Sequence, residues 1–277
     1  MKAAAFRYER PRRLEDALEL LRDEESKPIA GGQSLVPMMA MRLARPRVLV
    51  DLGRIRCLSE VHHLNGAIET GATVRQRALE RHPELALQLP LVAAALPHIG
   101  HREIRNRGTV GGSVAHADPA AELGLVAATL DAAMLARSSE GVRQIAASEF
   151  VLGPFQTALR EGELLTAVRW PTARPEERFA FAEVARRHGD FALCGVAVYV
   201  QPGPERALAR IGLMGVGPVP LVRQLELRTG DDLADAADEI AASAEPSSDM
   251  HASAGYRRRL AGVLTERCLR RALGGSG

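Results

Sequence analysis

Ala30-Gly31-Gly32-Gln33-Ser34 and Thr109-Val110-Gly111-Gly112-Ser113 are the stretches that decide the fold of this chain. Each sets a double glycine beside an apolar run and ends in a hydroxyl residue. Glycine lacks a Cβ, so its backbone takes up positive φ and comes close to a ligand. Successive exposed N–H groups in such a turn form a concavity that binds anions. Two turns of this kind suit the two ends of one pyrophosphate, and so a dinucleotide. No G-x-G-x-x-G follows a strand, so the Rossmann fingerprint is not the route.

Outward from these turns, helical and strand patterns are mixed. Leu14, Ala17, Leu18 and Leu21 fall at i, i+3, i+4 and i+7, which predicts an amphipathic helix. Pro28-Ile29-Ala30 reads as a short strand running into the first turn, and Val48–Leu52 as a buried strand by its continuous apolar run. Together they suggest a small βαβ-like unit over residues 1–55. Ala67–Thr73 reads as a strand with a glycine break. Pro90 opens a helix through Ala95, and Asp118-Pro119 reads as the N-cap and first residue of a helix to Thr129. Ala133–Ala136 and Leu164–Trp170 read as strands, the second stopped by Pro171. Residues 171–178 are polar and proline-rich and mark a boundary. Beyond it, Ala192–Val200 and Ala209–Val216 read as adjacent strands joined by the turn Gln201-Pro202-Gly203-Pro204. Residues 231–244 and 256–272 read as helices. In the last, Tyr256, Leu260, Leu264 and Cys268 repeat at i+4, which places Cys268 in the core. The Gly-Gly-Ser-Gly end is expected to fray.

Composition narrows the function classes. The chain has 277 residues, 46% hydrophobic and 25% charged, an ordinary globular balance with length for more than one domain. A net charge of +2 gives no electrostatic basis for a nucleic-acid partner. The first residues meet charge too soon for a secretory signal, and no stretch approaches the roughly 18–20 apolar residues of a transmembrane segment. The reading is a soluble cytoplasmic protein. Cys57, Cys194 and Cys268 are scattered and odd in number. That argues against a disulfide framework and against an iron–sulfur cluster held by this chain alone. His98 and His101 are three residues apart and His62-His63 adjacent, but no carboxylate or cysteine set completes a metal site. Ser34 and His116 lack a G-x-S-x-G elbow, so no catalytic residue is assigned.

Several motifs in order resemble one family over nearly the whole length. They are Ala30-Gly31-Gly32-Gln33-Ser34-Leu35-Val36-Pro37, Leu49-Val50-Asp51-Leu52 and Arg105-Asn106-Arg107-Gly108-Thr109-Val110-Gly111-Gly112-Ser113. His116-Ala117-Asp118-Pro119-Ala120-Ala121-Glu122, Gly162-Glu163-Leu164-Leu165, Arg186-Arg187-His188-Gly189-Asp190-Phe191-Ala192 and Tyr256-Arg257-Arg258-Arg259-Leu260 continue the match. The chain resembles the FAD-binding medium subunit of molybdenum hydroxylases, of the carbon monoxide dehydrogenase and xanthine dehydrogenase type. The resemblance implies an α+β chain. A two-subdomain FAD-binding fold of the vanillyl-alcohol-oxidase (PCMH) type, over 1–55 and 56–175, precedes a small C-terminal α/β domain over 176–277. It implies a large partner subunit with a molybdenum cofactor and a small partner with two [2Fe–2S] clusters, usually as a dimer of heterotrimers. This chain would take electrons from the clusters onto FAD and pass them to an external acceptor.

The same resemblance assigns residue roles. Ala30, Gly31, Gly32, Gln33, Ser34 and Leu35 form the first flavin loop, with N–H groups and the Ser34 hydroxyl on the pyrophosphate. Thr109, Val110, Gly111, Gly112 and Ser113 form the second, again as backbone donors. Glu122 is expected on the ribose or adenine side, against the alternative of a first-turn carboxylate favoured by the helix dipole. Asp118 is mainly a cap. Ile99 and Leu165 are expected against the cofactor, with core packing as the alternative. Asp190 and Phe191 would shape the junction beside the flavin. Glu183 departs from the pattern, because many relatives carry Lys there near the flavin ring. Gln33 and Ser113 stand where many have His and Asn. Two other readings stay open, a stand-alone FAD-dependent oxidase of the same fold and a scaffold without cofactor. The retained glycines, costly unless a turn needs them, argue against the scaffold.

Overall fold

The computed structural model describes residues 2–228 and 231–274, so most of the Gly-Gly-Ser-Gly end lies outside the described residues. The first unit comprises β1 (Arg7–Glu9), α1 (Leu14–Leu20), β2 (Ser26–Ile29), α2 (Leu35–Ala40) and β3 (Val48–Asp51). Its strands form a parallel sheet in the order β1-β3-β2. The stripe Leu14, Ala17, Leu18 and Leu21 packs on Val48, Val50 and Leu52. Central β3 is therefore covered along its apolar run, as that run required.

The second unit begins with β4 (Val61–Leu64) and β5 (Ala67–Gly71). Six short helices follow: α3 (Gln76–Glu80), α4 (Pro83–Gln88), α5 (Pro90–Ala95), α6 (Arg102–Arg107), α7 (Val110–His116) and α8 (Glu122–Leu130). Then come β6 (Ala133–Arg137), β7 (Val142–Ala146), α9 (Ala147–Phe150), the hairpin β8 (Val151–Gly153) and β9 (Gln156–Thr157), and β10 (Leu164–Pro171). The antiparallel sheet runs β4-β5-β10-β6-β7. Trp170 is fully buried in it, and its indole N–H donates to Thr70 Oγ1 at 2.9 Å. That bond meets the need of a buried indole for an acceptor.

Two readings shift here. The stretch Thr109–Ser113, expected as an open loop, is the first turn of α7. Thr109 caps it, its Oγ1 accepting from Gly112 N at 3.1 Å. Glycine is tolerated in this helix because the helix lies against backbone: a Cβ on Gly111 would sit 2.5 Å from that of Ala72. Asp118 does not cap α8. It closes a turn, accepting from Ala120 N at 2.9 Å, and the helix starts only at Glu122.

The third unit is β11 (Arg178–Ala185), β12 (Ala192–Gln201), β13 (Arg206–Met214), β14 (Leu221–Arg228), α10 (Leu233–Ala242) and α11 (Ala254–Ala272). Its antiparallel sheet keeps chain order. One face packs Cys194, Val196 and Val198 against Leu264, Cys268 and Leu269 of α11. The other meets α8 so closely that a Cβ on Gly212 would collide with Thr129. Strand β12 is thus buried on both faces, and burial pushes the Cys268 thiol up to about 11. Among the described residues, no helix is long and apolar enough to cross a membrane.

Candidate functional site

Strand β2 ends at Ile29, and the chain turns through Gly31 and Gly32 into α2. Gly32 has φ +73°, a conformation that favours glycine. Gly31 packs on the segment before α7: a Cβ there would collide with the Arg107 carbonyl and lie 2.9 Å from Gly108 Cα. The side chain of Gln33 braces the turn, donating to Gly31 O at 3.2 Å. Among the described residues, the main-chain N–H groups of Gly31, Gly32, Gln33, Ser34 and Leu35 find no acceptor. Five successive free donors at a turn make an anion-binding nest.

The second stretch is different. Val110 N donates to Val74 O at 3.0 Å, and Gly111 N to Ala72 O at 3.0 Å. Gly112 N is taken by the Thr109 hydroxyl, and Ser113 N by Thr109 O at 3.1 Å. The expected backbone donation from 110–113 is therefore not available in this geometry, since the cap and the segment Ala72–Val74 after β5 use those groups first. Thr109, Gly111, Gly112 and Ser113 form a wall facing the first loop, and Val110 points away into the core.

Between the loops lies a cleft of about 570 Å³, within the range of cofactor sites. Of the residues expected from the sequence, Ala30–Leu35, Ile99, Thr109, Gly111–Ser113, Glu122 and Leu165 line it, whereas Val110 and Glu183 do not. Gly189, Asp190 and Phe191 of the third unit close one side. His116 and Phe155 also line it, and Phe155 was not singled out in the sequence. Its only sequence signal is one aromatic in a Gly153-Pro154-Phe155 turn. Among the described residues, Lys27 is the only Lys or Arg of the lining, against Asp118, Glu122, Glu163 and Asp190. Arg143 neutralises Glu163 through two contacts of 2.7 Å. The cleft thus offers an anion main-chain donors in place of cationic side chains.

Two carboxylates shape the electrostatics. Glu122 is 8% exposed, and burial pushes its pKa up to about 8. The charges of Glu183 and Asp118 add to the rise and that of Arg105 opposes it. Burial thus favours the protonated form of the Glu122 carboxyl, which can donate as well as accept. Glu183 sits behind the wall with its side chain 6% exposed. Its Oε1 lies 3.4 Å from His98 Nδ1, and its buried Oε2 has no partner among the described residues. Glu183 thus sets its carboxylate against a histidine and not at the cleft surface. Arg105 fixes the opposite wall. It grips Glu80 at 2.9 and 3.1 Å and donates to Ile99 O at 3.1 Å and Gly100 O at 2.9 Å.

Comparison with known proteins gives the same outline. Residues 4–173 match the FAD binding domain in molybdopterin dehydrogenase, and residues 179–272 the CO dehydrogenase flavoprotein C-terminal domain. The nicotine 6-hydroxylase medium subunit of Paenarthrobacter nicotinovorans is 41% identical over 97% of this chain and 98% of its own. The crystal structure of Cu,Mo-CO dehydrogenase superposes with a TM-score of 0.94 at 33% identity, covering 99% of both chains. That of quinoline 2-oxidoreductase from Pseudomonas putida 86 gives 0.92 at 36% identity, also over 99% of both.

Proposed function

The chain belongs to the family of FAD-binding medium subunits of molybdenum-containing dehydrogenases, and from that membership we propose that it relays electrons through FAD from an iron–sulfur partner to an external acceptor. The observation that carries the reading is the run of free N–H groups from Gly31 to Leu35 beside a cleft of cofactor size. FAD, when bound, supplies the redox chemistry, and the protein supplies position and electrostatics. In this reading Ala30, Gly31, Gly32, Gln33, Ser34 and Leu35 hold the pyrophosphate. Thr109, Gly111, Gly112 and Ser113 limit its movement from the other side. Ile99 and Leu165 offer apolar surface to the rings. Glu122 keeps a proton on its carboxyl below about pH 8 and can donate to the cofactor without adding charge to it.

The partners in this reading are a large subunit with the molybdenum cofactor and a small subunit with [2Fe–2S] clusters, assembled as a dimer of heterotrimers in the cytoplasm. The chain divides into 1–55, 56–175 and 176–277. Substrate choice rests on the molybdenum subunit, in keeping with the range of the relatives' names, from nicotine to quinoline.

The test is the visible absorption spectrum of the chain co-purified with the products of neighbouring genes. Flavin peaks together with iron–sulfur absorbance support the relay. Flavin and substrate turnover from the chain alone, with no partner retained, would make it an independent oxidase. A preparation that never takes up flavin sinks both.

A further inference from the structure

Phe155 is held in an unfavourable conformation to reach the cleft. It forms the turn between β8 and β9 with φ +59°, in the left-handed region that a residue with a Cβ avoids. Its N–H donates to Ala117 O at 2.8 Å, and Ala117, where α7 ends, is itself left-handed at φ +50°. Two strained residues thus clasp each other and tie the hairpin to α7. Strain of this kind persists only where the surroundings enforce it, and it gathers at ligand clamps.

The clasp does not serve burial. Phe150, just before the hairpin, is wholly buried, yet Phe155 is 57% exposed. That ring lines the cleft and leans on His116, with ring centroids 5.0 Å apart and planes at 47°. Burial lowers the His116 pKa and favours its neutral ring. The hairpin and the end of α7 therefore present an uncharged aromatic surface to the cleft, which Leu159 also lines. Flat uncharged rings on the wall of a cleft with free main-chain donors are what a nucleotide's planar base stacks on.

We propose that Phe155 is a stacking platform for a planar heterocycle of the bound dinucleotide, adenine or isoalloxazine, held in place by the Ala117–Phe155 clasp. The proposal rests on the FAD reading above. The test uses the full chain freed of flavin, as wild type and as Phe155→Trp, Phe155→Leu and Phe155→Gly. FAD, FMN and ADP are titrated separately, and unfolding is followed without ligand. Leu and Gly should weaken FAD about tenfold or more, while Trp retains it. Weakening of ADP but not FMN assigns the ring to adenine, and the reverse assigns it to the flavin. Glycine relieves the left-handed strain, so Phe155→Gly should unfold no earlier than wild type while binding FAD less tightly. The proposal is overturned if Leu and Gly bind all three ligands like wild type, or if Gly loses stability in step with affinity. A wild-type chain that binds neither FAD nor ADP overturns the cofactor reading, and this proposal with it.

Discussion

At Gly31 the missing Cβ serves the fold as well as a ligand. An added methyl would meet the Arg107 carbonyl and Gly108 Cα, both backbone, which cannot move aside cheaply. Gly32 differs: it needs its positive φ, and a Cβ there would come no nearer than 3.2 Å to the flexible end of Val36. Gly31→Ala should therefore cost about 1–3 kcal/mol by overpacking. Gly32→Ala should cost about 1 kcal/mol through its left-handed backbone. Urea unfolding of the two variants checks the order, and a larger loss at Gly32 than at Gly31 would refute the packing account. Glu122 makes a prediction about pH. Its folded pKa of about 8 lies above its ordinary 4.5. Below 4.5 both states hold the proton and Glu122 has no effect on stability. As pH rises from 4.5 to about 8, the unfolded chain loses the proton and the native state keeps it, so the native state is destabilised. Each unit of difference is worth about 1.4 kcal/mol, a few kcal/mol in all. Glu122→Gln should abolish this decline, matching the parent near pH 4.5 and exceeding it at pH 8, as urea midpoints across that range would show.

At the scale of elements, α7 shows what local sequence conveys and what it hides. The double glycine at 111–112 was legible as a special backbone site. That it lies in a helix was not, because glycine is a poor helix former and points to a loop. The reason is tertiary: only small residues let α7 rest on Ala72. Asp118-Pro119 carried the signature of a helix start, but the aspartate bonds its own following backbone and makes a turn, a competing use of the same side chain. Strand β1 was not read at all, since three residues with an exposed Arg7 and Tyr8 have no apolar pattern. The Thr109 cap follows from an ordinary rule and can be tested as one. Thr109→Ala loses the bond to Gly112 N and should cost about 1 kcal/mol, whereas Thr109→Ser should retain most of it. The freed Gly112 N–H would also face the cleft wall, so thermal unfolding should be paired with an FAD titration.

In the whole molecule, the cleft draws on all three units, with the first loop from the parallel sheet, the α7 wall from the second unit and Gly189–Phe191 from the third. The order of motifs made this architecture legible. The direction of Glu183 and the approach of Phe155 were not, because each depends on packing between residues far apart in sequence. Arg257 is a further residue of this kind. From α11 it donates to Leu193 O at 2.5 Å and Gly215 O at 3.2 Å, and it pairs with Asp249 at 2.6 Å. Leu193 follows closely on Phe191, so this arginine anchors the far end of the segment that closes the cleft. Arg257→Met keeps the bulk but leaves two carbonyls without their donor, and should cost on the order of 2–4 kcal/mol. The same change should also loosen the cleft, and linkage separates the two effects. FAD at 100 times the parent's Kd stabilises the parent by about 2.7 kcal/mol, whatever the stability of the fold. A variant damaged only in its fold gains the same increment at that FAD concentration. A variant whose Gly189–Phe191 segment has lost its anchor binds FAD less tightly and gains less. Unfolding of parent and Arg257→Met, each with and without FAD, should show the smaller increment, because the carbonyl that Arg257 holds most closely belongs to the strand that carries that segment.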